Sequence, residues 1–327
     1  MEAFFFAINA VTPIILMVAI GYLLKKAGVI KTQLASSFNR LVFKVFLPSM
    51  LFLNVYNIEN IKTVDFGYIL YVLLCIVLLF VISIPLVCII TKQTNRRGVL
   101  LQSIFRSNFA LIGIPVSTAL FGAEGVAVAT LLSAAIIPVF NILGVISLSL
   151  FNDENQKPNF KNIMLGIIKN PLIQSIAVGL VCLLVRAILI KDGITFRLSD
   201  IKPIFKVLEY LSSVATPLAL ITLGAQFEFS AIKELRREIT FGTLLRILVV
   251  PLLSLGIAFI FRNNFSGAHF AAFVAVFATP VAVSTVPMAE AMGGDSALAG
   301  QLVVWTTLLS SLSVFIASYL LKLAGIF

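Results

Sequence analysis

Residues 108–122 read NFALIGIPVSTALFG and residues 280–294 read PVAVSTVPMAEAMGG. At one offset of 172, with no gap, Pro115 falls on Pro287 and Gly122 on Gly294. Each stretch lies in an apolar run long enough for a membrane helix, and in each a proline removes a backbone donor and crowds the preceding turn. Interrupted spans at matched positions in two halves of a chain point to internal repetition, which decides the architecture before any single residue does.

The matching extends outward in order. Residues 47–59, LPSMLFLNVYNIE, align with 216–228, TPLALITLGAQFE, pairing Pro48 with Pro217 and Glu59 with Glu228 at an offset of 169. Pro13 and Gly21 pair with Pro171 and Gly179 at an offset of 158, so the second half carries its extra residues chiefly ahead of span seven. A helix needs about 20 apolar residues to cross the hydrocarbon. Ten candidate spans begin near residues 3, 41, 66, 98, 125, 170, 207, 239, 268 and 296. Each half holds five, and because five is odd the second half enters the membrane from the opposite side, the inverted repeat of many secondary transporters. The expected fold is therefore an all-α polytopic membrane protein, with one repeat in residues 1–150, a cytoplasmic linker at 151–169 and the second repeat in 170–327.

Composition sets the medium. Of 327 residues 60% are hydrophobic and 12% charged, with mean hydropathy +1.09, whereas soluble domains carry about 25% charged residues. The net charge of +10 does not point to nucleic acid, because the basic residues stand at the ends of apolar runs, where they flank membrane helices. The opening MEAFFFAINA carries an acid and no basic region, so no removable signal peptide is expected. Cys75 and Cys88 would stand ~20 Å apart on one helix and cannot bridge; with Cys182 they read as apolar filler. Lys and Arg cluster in the first, third, fifth and seventh connections, which places those in the cytoplasm and both termini outside; Lys191, Arg197, Lys202 and Lys206 in the sixth count against this.

The chemistry is expected where spans four and nine break. Around Pro115 and Pro287 lie Asn108 and Gly113 in span four and Thr279, Pro280, Ser284 and Thr285 in span nine, and irregular backbone at this depth survives only where it lines a cavity. Half-helix N-termini meeting at the midplane offer free N–H groups and positive dipole ends to a carboxylate. The alternative for Ser284 and Thr285 is a bond back to the previous turn. Arg106 and Arg246 are candidates for a fixed positive charge facing an anion, with snorkelling to the interface as the other reading of Arg106. Glu290 is a candidate for a coupling proton or sodium ion, or else an interfacial carboxylate beside Gly293 and Gly294. Asn54 and Gln226 either wall the cavity or bond between helices. His269, beside Asn263 and Asn264, reads as a capping residue.

These segments, with ATPLALITLGAQFEF between them and the block Ala278 to Thr307 as the most specific part, resemble the auxin efflux carrier family over nearly the whole chain. Its bacterial members are often called malate or malonate permeases. The resemblance implies a ten-helix transporter related to bile-acid sodium symporters and sodium/proton antiporters, with helices four and nine crossing at Pro115 and Pro287. It further implies a scaffold of helices 1, 2, 6 and 7, a moving domain of helices 3–5 and 8–10, and a substrate-side role for Asn108. The chain departs from the plant members in having only FNDENQKPNFKN at 151–162 for their long central loop, and Pro280-Val281 where they tend to an Asn-Pro-Asn sequence.

Enzymatic chemistry is disfavoured by a single histidine and scattered acids, and ATP-driven pumping by the absence of a P-loop. A channel lacks the logic of paired broken helices. The reading is a secondary transporter of the cell membrane for a small organic anion, a mono- or dicarboxylate such as malate or malonate. The alternative is an uncoupled, auxin-like weak-acid efflux facilitator. No cofactor is expected apart from a coupling proton or sodium ion, and the partners are the anion, the bilayer and, as an option, a second copy of the chain.

Overall fold

The computed structural model describes residues 2–57, 66–151, 165, 167–191 and 197–327. Glu59 of the repeat alignment and most of the 151–162 stretch lie outside them. The described elements are helical throughout: α1 (Glu2–Lys26), α2 (Thr32–Tyr56), α3 (Phe66–Ile90), α4a (Thr94–Phe105), α4b (109–120), α5 (123–150), α6 (Pro171–Lys191), α7 (Lys202–Gln226), α8 (Arg236–Ile260), α9a (Gly267–Phe277), α9b (Thr285–Ala291) and α10 (Ser296–Leu323). Among the described residues seven helical stretches, 109–150 counted as one, are long and apolar enough to cross a membrane, and the protein is a polytopic helical membrane protein. Element lengths repeat between the halves. α2, α3, α7 and α8 are 25 residues each, with α7 beginning 170 positions after α2 and α8 beginning 170 after α3.

The helices begin within a few residues of the expected starts, except α2, which begins at Thr32 rather than near 41. Its first turns, TQLASSFNRL, are amphipathic, and Ala35 and Asn39 are buried where α2 packs against α7. A hydropathy window undercounts a span whose polar stripe faces protein instead of lipid. Lys44 accordingly stands in the middle of α2.

Three π-helical turns, Val42–Phe46, Phe109–Gly113 and Leu245–Val249, each end two residues before a proline: Pro48, Pro115 and Pro251. Proline offers no N–H and its ring crowds the carbonyl four residues back, so widening the preceding turn removes the clash without ending the helix. α1 and α7 touch through glycine. A Cβ on Gly21 would stand 2.0 Å from the Ile221 carbonyl oxygen, and one on Gly224 would stand 1.9 Å from that of Val18. Such small-residue contacts let membrane helices approach closely enough for backbone packing to hold them.

α1 lies on α7 and also on α10, and α2 lies on α6 and α7. α9a packs against α4b, α5, α8 and α10, with Phe270, Phe273 and Phe277 fully buried.

Candidate functional site

Both broken helices change course at the same point. α4a ends at Phe105, residues 106–108 are non-helical with Arg106 extended, and α4b starts with the π-helical turn at Phe109. α9a ends at Phe277, and residues 278–284 are irregular up to α9b. Ser107 and Val281 face each other as an isolated antiparallel bridge, and the Asn108 N–H donates to the Pro280 carbonyl at 2.8 Å. The Val281 N–H donates to Thr306 Oγ1 on α10 at 3.1 Å. The crossing is therefore at Arg106–Asn108 and Pro280–Val281, not at Pro115 and Pro287. Pro287 is the third residue of α9b, a first-turn position that tolerates proline because its N–H would have no intrahelical partner. Pro115 is the seventh residue of α4b, where the π-helical turn before it makes room for the ring.

The first half-helices leave carbonyls exposed at their C-terminal ends, and Arg246 of α8 collects them. Its Nε donates to the Thr279 carbonyl at 2.9 Å, Nη1 to that of Ile104 at 3.1 Å and Nη2 to that of Val276 at 2.8 Å. The side chain is fully buried, and one guanidinium thus caps both α4a and α9a, each presenting the negative end of its dipole. Arg246 is committed to backbone and does not line the cavity expected of it.

Arg106 behaves otherwise. It is 2% exposed and does not snorkel. Its Nη1 donates to Gln102 Oε1 at 2.8 Å and to Met288 Sδ at 2.7 Å, and its Nη2 to Asn141 Oδ1 at 2.8 Å and Ser284 Oγ at 2.7 Å. All four partners are neutral, and among the described residues no carboxylate pairs with it. It opens onto a cavity of about 200 Å³ walled by α2, α4b, α5, α7 and the α9 break. Asn108 lines the same cavity with its Nδ2 buried and unpartnered, and the first residues of α4b, Phe109 to Leu111, line it too. The positive end of α4b therefore faces the space that Arg106 faces. α9b, seven residues long, adds little to that field.

Of the expected residues, Asn54, Arg106, Asn108 and Ser284 meet at this cavity. Pro280 shapes it through its carbonyl. Gly113 serves close packing instead, since a Cβ there would stand 2.8 Å from the Ala275 carbonyl oxygen. Thr279 donates back to the Ala275 carbonyl at 2.7 Å, and Thr285 is buried without lining the cavity. Glu290 and Gln226 lie together in a separate pocket at the C-terminal end of α7. His269 forms a capping box with Ser266. Three contributors went unread: Gln102, Asn141 and Thr216, the first two against Arg106 and the last on the cavity wall. An amide in α5, a span without one charged side chain across 125–151, was the available signal for Asn141.

A family model described as membrane transport protein matches residues 6–318. An uncharacterized transporter of Methanothermobacter thermautotrophicus is 25% identical over 322 residues, covering 94% of this chain and 95% of the relative. An uncharacterized transporter of Methanocaldococcus jannaschii is 27% identical over 230 residues, covering 69% of this chain and 70% of the relative. The family match takes in both broken helices and the whole cavity wall, and the chain belongs to this membrane transport protein family, the auxin efflux carrier family.

Proposed function

We propose that this protein is a secondary transporter that carries a small organic anion across the cell membrane by alternating access, with the anion's carboxylate held at Arg106. The observation that carries the reading is the buried Arg106 guanidinium on a cavity wall with only neutral partners. A buried cation without a countercharge costs several kcal/mol in desolvation. An entering carboxylate supplies that charge and accepts bidentate hydrogen bonds from the guanidinium fork. Asn108 Nδ2 offers a further donor on the same side.

The wall also bears on which anion. Arg106 is the one charged residue lining the cavity among the described residues, and Leu47, Met50, Leu51, Phe109 and Phe140 make much of the rest. One negative charge on a partly apolar body fits best. That favours a monocarboxylate, or a dicarboxylate such as malate or malonate carrying a proton. The same apolar wall favours, as second reading, an auxin-like weak-acid efflux facilitator.

For the movement, α1, α2, α6 and α7 serve as the scaffold, and α3–α5 with α8–α10 rock against it, carrying the crossing. The basic ends of α1, α3 and α4a face the cytoplasm in this reading, with both termini outside. The test is thermal unfolding of the purified protein with mono- and dicarboxylates, indole acids and neutral analogues. A carboxylate should stabilise the wild type by mass action and fail to stabilise Arg106→Gln. Stabilisation by neutral or cationic compounds alone would end the anion reading.

A further inference from the structure

A second polar junction lies at the basic ends of the helices, away from the anion cavity. Glu290 of α9b accepts hydrogen bonds from Asn39 Nδ2 of α2 and from Gln226 Nε2, the last residue of α7, the latter at 3.2 Å. Asn39 is held in turn: its Nδ2 also reaches Gln226 Oε1 at 2.7 Å, and its Oδ1 accepts from Thr222 Oγ1 at 2.9 Å. A parallel link joins α10 to the end of α7, where Gln301 Nε2 donates to the Glu228 carbonyl at 2.9 Å. One carboxylate on the crossing group is thus tied by two amides on the group formed by α1, α2, α6 and α7.

The junction borders a polar pocket of about 270 Å³ that contains Glu290 and Gln226. The charged groups facing it are few. α1 contributes Lys25, the segment after α7 contributes Glu228, and these two pair with each other at 3.8 Å; α2 contributes Ser36, and α10 contributes Ser296 and Gln301. Among the described residues no cation pairs with Glu290. Its charge is therefore answered by amide donors alone, and those donors lie on the opposite group.

We propose that Glu290 is a proton-binding site that controls the closure of this end of the molecule. Ionised, it accepts both amide N–H groups as charge-assisted hydrogen bonds and holds α9b against α2 and α7. A proton taken from water in the adjoining pocket removes the charge and turns one acceptor oxygen into a donor. With the proton on Oε1, Oε2 still accepts both amides, but as neutral hydrogen bonds of about half the charge-assisted strength, and the junction loosens. The proposal rests on the reading of the two groups as scaffold and moving domain, and it adds the place where a proton enters the cycle.

Trp305, the single tryptophan, reports on this end without a label, because its Nε1 donates to Gln301 Oε1 at 3.2 Å. The experiment is acrylamide quenching of Trp305 in the full-length protein, free of substrate, from about pH 8 to about pH 4.5, a range over which carboxylates take up protons. In the wild type the quenching constant should rise about two-fold as the pH falls, as the open population grows. Glu290→Gln should show the high constant at every pH, and Asn39→Leu should do the same with the carboxylate still present. A wild-type constant that is flat with pH would overturn the proposal, as would a pH response that survives in Glu290→Gln or a low constant in that variant. Carboxylate-induced thermal stabilisation, measured alongside, separates the two readings. It should persist in both variants, and its absence from the wild type would count against the anion site while leaving the quenching result to judge Glu290.

Discussion

Two buried arginines, 140 positions apart, do opposite things with the same side chain. Arg246 places its donors on backbone carbonyls at the ends of two half-helices, so its work is structural. Arg246→Met should leave those carbonyls unpartnered and lower stability by about 3–5 kcal/mol, the usual cost of breaking a buried charged network; thermal unfolding with and without carboxylate checks it, since the loss should be the same in both. Asn108→Ala should weaken carboxylate binding about ten-fold, in keeping with about 1.5 kcal/mol for a hydrogen bond to a charged group, with little change in unliganded melting temperature because Nδ2 has no partner to lose. Both residues were legible as candidates. Their division of labour was not, because it depends on where the chain breaks: Arg106 lies in the non-helical stretch and turns toward Asn141, 35 positions on, while Arg246 lies in a π-helical turn aimed at two helix ends. A lone arginine at the edge of an apolar run reads the same in either case.

At the scale of the element, proline position carried more meaning than proline presence. Pro115 and Pro287 located the right spans, since four and nine are the ones split among the described residues, but they pointed several residues past the split in span four. Three other chain features decide the break itself: Pro280, the non-helical Arg106–Asn108 stretch, and Thr306, which satisfies the Val281 N–H. Local pattern cannot report that last partner, 25 positions away. The amphipathic start of α2 was missed for a related reason, its polar stripe being buried on α7 through Asn39 and Thr222. Helix pairing itself rests on small residues that any hydropathy reading passes over. Gly224→Ala should force α7 off α1, where a Cβ has no room, and cost about 1–3 kcal/mol as overpacked sites do. Gly256→Ala, with open space at that point, should cost nothing measurable; comparing the two melting temperatures tests the contact.

At the scale of the molecule, one end is laced by charge. Arg96 of α4a meets Asp295 at 3.0 Å and Glu238 at 3.4 Å, and also pairs with Glu234, so the start of α4a, the start of α8 and the cap of α10 are held as one unit. This lies within the proposed moving domain and fits its travelling as a rigid body. The topology predicts that a cysteine at Lys233, in a basic connection, reacts with an impermeant maleimide from the cytoplasmic side of sealed vesicles and not from the outer side; the reverse pattern would invert the orientation. That no carboxylate among the described residues stands beside Arg106 also has an electrical consequence. Arg246 is offset by two helix ends worth roughly half a negative charge each, whereas the guanidinium of Arg106 meets only neutral side chains until a substrate arrives. In the proposed cycle the domain loaded with a monovalent anion crosses the membrane field as a neutral body, and the empty domain crosses as a cation. The membrane potential then acts on the return of the vacant carrier, by up to about 2.3 kcal/mol for each 100 mV traversed, and sets the direction of net flux without touching the affinity of the site.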